Sequence, residues 1–442
     1  MKFRNNCFAK LCLPAFLFTS IFVFSSLAAA NPSMKWCTTW KAEYEDSGYG
    51  EDTFASTGAN NRPARYTAYK LVNYTDSYVV NSGTLDIDGC TPYIAAESNK
   101  VYQFIQYTHA IRVNRQFIVL SDAVTGWNST DSQAYYNYYM TGTLSDGLSN
   151  QHTFYPGYVT SKTNIMPIVG RILRYYSTYS MPSGHTIKMH TDADNCNDPA
   201  GGGAYMIGYD VCLAPGQWED PTAHKYIVTH EIGHSVQKKI IQYAISNDQY
   251  TAGDASSSQT RCLCTHVSTG EPSHCLGSRE TIEAANKEGF AHFFATMVFN
   301  NRTEDNGMYV YPKEAWNWTG TEWDTEAPPV AWKAYRGANE RTTDRWMEKN
   351  CNPGDEDMGV ESDWLRFNYE LWTTGADKYN ADEILSVHDR AYNSHTPKKW
   401  YWDYQEQAAQ YLAEQGDLTQ GQADQYNIKG VEEGVDHFAT NR

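Results

Sequence analysis

After residue 30 the chain has no run of apolar residues long enough to cross a bilayer. Positive charge is also scarce: 35 Lys and Arg stand against 52 Asp and Glu, a formal charge of −17. Phosphate binding needs a basic surface, so nucleic acid and anionic membranes are disfavoured as partners. The one long apolar segment lies at the front. Lys2, Arg4 and Lys10 precede a mostly apolar stretch from Leu13 to Leu27, and Ala28-Ala29-Ala30 offers an A-x-A cleavage site. That is the pattern of a secretory signal peptide over 1–30, not of a membrane span. Cleavage there removes three basic residues and takes the formal charge to −20. The expected mature chain is exported, extracellular or periplasmic, and long enough for two or three domains.

Cysteine is not scarce. Eight remain beyond the leader: Cys37, Cys90, Cys196, Cys212, Cys262, Cys264, Cys275 and Cys351. An even number in an exported chain reads as disulfides. Proximity favours Cys37 with Cys90 and Cys196 with Cys212, while the last four cannot be paired from sequence. Cys262-Leu-Cys264-Thr-His266 with His274-Cys275 also has the residue types of a structural zinc site, although an oxidising compartment favours disulfides.

The chemistry concentrates in Asp220 to Gln237, DPTAHKYIVTHEIGHSVQ. Asp220 is a suitable N-cap and Pro221 a favoured first helical residue. On a helix, His230 and His234 lie one turn apart on one face, and two neutral imidazoles at that spacing can hold one Zn²⁺. Glu231 stands beside them as a candidate general base. The neighbours Val228, Ile232, Gly233, Ser235 and Val236 are uncharged, which suits a buried helix better than a solvated one.

A catalytic zinc usually has three protein ligands and an open position. The third is expected from the helical stretch Glu280 to Phe299, in which Ala284, Glu288, Ala291, His292 and Ala295 share one face. That face is small apart from Glu288 and His292, so it suits close packing against another helix with Glu288 projecting inward. For His292 three roles stay open: orienting a ligand, replacing Glu288 as ligand, or packing.

The remainder supplies surroundings. Residues 31–122 alternate apolar and polar positions between turns, as in a small antiparallel β-sandwich acting as an accessory domain. Residues 123–163 are poor in aliphatic side chains and read as a connection. The period then becomes helical at Asn164, with Pro167 expected in the first turn. An extended segment follows at His185–His190, and another at Ala204–Ile207, where an edge strand can take up an extended peptide. Residues 164–300 form the expected catalytic part and 301–442 a mainly helical subdomain, with helices at 359–372 and 400–414. A hydrolase needs a donor there for the developing oxyanion, and His388, Arg366 and Tyr392 are the candidates.

The paired motifs His230-Glu231-Ile-Gly-His234 and Lys287-Glu288-Gly-Phe-Ala-His292 resemble those of the zincin metallopeptidases, in the gluzincin branch that includes thermolysin. The resemblance covers about 164–300. It implies an α+β fold, with His230, His234 and Glu288 as zinc ligands and Glu231 as base and proton shuttle in peptide hydrolysis. The metzincin pattern is excluded, because Gln237 and Ile240 stand where it needs Gly and His. Thermolysin-like enzymes carry an aspartate one turn after the glutamate ligand, and here that position is His292. The alternatives are an exported binding or adhesion protein on the same scaffold, or a zinc hydrolase of a non-peptide bond.

Overall fold

The structure is a computed structural model that describes residues 33–42, 60–97, 100–112, 115–120, 134–140, 150–154, 161–175, 186–191, 204–213, 225–241, 279–299, 358–394, 402–433 and 435. It is a mixed α/β molecule of antiparallel and parallel strand pairs with several helices, compatible with α+β. The leader, Asp220, Pro221, Cys196, Cys262, Cys264, Cys275 and Cys351 lie outside the described residues.

In chain order, the front half comprises β1 (Ser33–Ala42), β2 (Asn60–Pro63), β3 (Thr67–Asn73), β4 (Tyr78–Thr84), β5 (Ile94–Ala95), β6 (Tyr102–Arg112), β7 (Arg115–Leu120), β8 (Ala134–Met140) and β9 (Asn150–Phe154). The strict in-out alternation of β3 and β6 buries every second side chain, as a strand with one face on the core requires. β1 pairs with β2, β5 and β9, and this small sheet lies over β3 and β6. Three contacts join the layers: Trp36 against Tyr102, Trp40 Nε1 donating to Thr67 Oγ1 at 3.3 Å, and Thr38 Oγ1 donating to Gln106 Oε1 at 2.8 Å. A disulfide between Cys37 and Cys90 ties β1 to the turn before β5. Cys212 is disulfide-bonded too, to a partner outside the described residues.

Two sheets therefore do pack face to face, but the larger does not end at 122. After α1 (Ser161–Tyr175) come β10 (Thr186–His190), β11 (Ala204–Ile207) and β12 (Asp210–Leu213). The large sheet runs in the order β11-β12-β10-β7-β6-β3-β4, with β8 also on β6. β7 and β10 are parallel neighbours joined through α1, so the boundary drawn at 122/123 falls inside one hydrogen-bonded sheet. A crossover pairing of this kind has no local sequence signal. Residues 123–163 are likewise not only a connection. They supply β8 and β9; in β8 the tyrosines that replace aliphatics fit a pleated surface equally well. α1 starts before Asn164, which places Pro167 inside the helix rather than in its first turn.

Next come α2 (Lys225–Ile241), β13 (Arg279–Thr281), α3 (Ile282–Phe299), β14 (Met358–Val360), α4 (Glu361–Thr373), α5 (Ala381–Ser394), α6 (Trp402–Gln415) and α7 (Gln420–Glu433). α2 lies against α3, and α3 against α4, while α5 to α7 complete the C-terminal wall. Of these last four helices, α4 and α6 match sequence expectations closely; α5 and α7 are additional. Two glycines set the spacing of the central helices. A Cβ on Gly233 would sit 3.0 Å from Ala291 Cα, and one on Gly289 would sit 2.6 Å from the Glu361 carbonyl oxygen. Among the described residues, no helix is long and apolar enough to cross a membrane.

Candidate metal centre

α2 brings His230 and His234 to one face, and α3 directs Glu288 at them. The three pairwise separations among His230 Nε2, His234 Nε2 and Glu288 Oε2 are each 3.1 Å. Hydrogen bonding cannot account for this triangle. Two neutral imidazoles and an ionised carboxylate bring at most two protons, and each N–H points in one direction only. A divalent cation satisfies all three lone pairs at once. Bonds of about 2.0–2.1 Å to a tetrahedral zinc put neighbouring ligand atoms roughly 3.3 Å apart, close to the spacing seen. The donor set therefore fits zinc, and among the described residues this is the one group of three or more such side chains that could hold a metal ion.

Burial keeps the His230 imidazole neutral, the form that can ligate. The pKa of His230 is lowered to about 3, first by desolvation and then by its histidine neighbours, with the Glu288 carboxylate opposing. The site is not sealed, since His230 is 7 % exposed and His234 9 %. Glu231, 100° around the helix from His230 and only 60° from His234, sits on the rim of the same face and is itself almost buried.

His292 is not part of the triangle. Its Nδ1 meets the Tyr226 hydroxyl, and its Nε2 lies 3.2 Å from Glu361 Oε2 at the start of α4. Its ring lies against that of His230, with centroids 4.3 Å apart. His292, one turn after Glu288, thus has a tyrosine and a glutamate at its two nitrogens.

The oxyanion candidates lie on α4 and α5. His388 on α5 packs against Phe290 and Trp364, with Nδ1 3.4 Å from Gln237 Nε2. Burial lowers its pKa to about 3. Arg366 on α4 lies 3.8 Å from Asp363 within its own helix. Tyr392 on α5 is part-buried, and desolvation followed by the charge of Glu283 raises its pKa.

Sequence reasoning missed Tyr226, Glu361 and the Gln237–Asn286 pair, whose side chains meet at 3.2 Å one turn beyond His234. Tyr226 was findable, being one turn before His230 on the same face. Glu361 was not, being 69 residues from His292. In comparisons with models of protein families and with curated proteins, the chain matches none.

Proposed function

We propose that the chain is an exported zinc-dependent metallopeptidase that hydrolyses peptide bonds. The convergence of His230, His234 and Glu288 from two helices carries this reading. Zinc held there supplies a water of lowered pKa and polarises the scissile carbonyl. Glu231 takes the proton from that water at its carboxylate and passes it to the leaving amine, which departs neutral. Such a carboxylate has no use in a scaffold kept only for binding.

The sheet supports a peptide as substrate. Among the described residues β11 is the outer strand, antiparallel to β12 and packed beside α2. The outer edge of such a strand can offer backbone donors and acceptors to an extended chain, and Ala204, Tyr205 and Met206 are all partly exposed. The C-terminal helices α4 to α7 form the opposite wall.

The test is metal content of the purified protein together with digestion of casein and labelled peptides, with and without a chelator. One zinc per chain and chelator-sensitive cleavage support the proposal. Zinc without peptide cleavage favours a non-peptide substrate, and absence of zinc removes the reading altogether.

A further inference from the structure

Most metal-binding histidines donate their second ring N–H to a carboxylate or carbonyl, and that bond fixes the ring. His230 departs from this: its Nδ1 is buried and has no hydrogen-bond partner among the described residues. The ring is oriented in another way. Its neighbour is the His292 imidazole, 4.3 Å away between centroids with the planes inclined at 49°. His292 is held at both nitrogens, by the Tyr226 hydroxyl at Nδ1 and by Glu361 Oε2 at 3.2 Å from Nε2. One protonation pattern satisfies every group: the Tyr226 O–H donates to Nδ1, and Nε2–H donates to the carboxylate. The Tyr226 ring also stacks on His292, with the planes 16° apart. Glu361 is the first residue of α4, where the helix dipole favours its negative charge.

We infer that His292, pinned between Tyr226 and Glu361, is a positioning residue for His230. It is a wall that sets the ring by packing where other sites use a hydrogen bond. Through Glu361, the first residue of α4, the C-terminal helices thereby set the affinity of the metal centre. This rests on the metal reading given above.

The experiment measures zinc affinity by chelator competition on the full chain, wild type beside His292→Ala, His292→Phe, Glu361→Ala and Glu361→Gln. Thermal unfolding of each apo protein is followed in parallel. His292→Ala and Glu361→Ala should weaken zinc binding by roughly 10–100-fold. Glu361→Gln keeps an oxygen to accept from Nε2–H and should stay within about threefold of wild type. His292→Phe restores a ring wall and should recover part of the loss. A merely structural role would lower apo stability and leave the zinc affinity of the folded protein unchanged, which overturns the inference. So does a Glu361→Gln variant as weak as Glu361→Ala. If His292→Ala does not fold, the two Glu361 variants decide the matter. A wild-type chain that binds no zinc sinks the metal reading itself, a distinguishable outcome.

Discussion

Gly233 of α2 faces Ala291 of α3 so closely that a Cβ at 233 would stand 3.0 Å from the Ala291 Cα and 3.1 Å from Phe294 Cβ. The obstacle includes backbone, which cannot rotate away. This contact sets the distance between the helix that carries the two histidines and the helix that carries Glu288. Gly233→Ala should therefore widen the ligand triangle. Helix propensity gains about 1 kcal/mol, and overpacking costs roughly 1–3 kcal/mol, so net stability should fall only modestly. Zinc affinity, measured by chelator competition, should fall at least about tenfold, or roughly 1.4 kcal/mol. An unchanged affinity in the folded variant would show that the triangle tolerates the shift.

Glu231 is expected to act on protons and not on the metal. Glu231→Gln should keep wild-type zinc content while turnover drops by roughly 10²–10⁴-fold. Metal analysis beside peptide hydrolysis checks both halves. Wild-type turnover in the variant would end the assignment.

His388 predicts a component of acid sensitivity. Its described neighbours Phe290, Trp364 and Gln237 carry no charge, and burial lowers its pKa from 6.5 to about 3. The unfolded chain therefore binds a proton that the folded protein refuses. The stability tied to neutral His388 is fully present above pH ~6.5 and is lost at up to about 1.4 kcal/mol per pH unit as the pH falls towards 3. His388→Asn should flatten this part of the acid limb of urea midpoint against pH. Identical slopes for variant and wild type would refute the linkage.

The disulfide between Cys37 and Cys90 spans 53 residues. Removing it with the double substitution Cys37→Ala and Cys90→Ala should cost about 2–4 kcal/mol, read from denaturant unfolding. Among the described residues, the sheet and helices separate this bond from the candidate metal centre. Zinc affinity of the folded variant should therefore stay near the wild-type value, and a large loss there would reveal coupling that the contacts do not suggest.

Much of the local order was readable. The spacing of His230 and His234 fixes their common face wherever the helix lies, because the angle between them depends only on helix geometry. The apolar periods around Ile165 and Glu288 located α1 and α3, and the nearness of Cys37 to Cys90 in sequence suggested a bond that the structure contains. The tyrosine-rich strand β8 and the short polar strand β9 were less legible, since composition alone does not separate a polar connection from such strands.

By itself, then, the sequence determined which side chains share a helix face and which stretches alternate as strands. Only the tertiary structure decided that Glu288 points between the two histidines, that Glu361 reaches His292, and that β7 lies beside β10. Periodicity fixes direction about a segment's own axis. The partner that meets each face depends on long-range packing, set at this centre by the close approaches at Gly233 and Gly289.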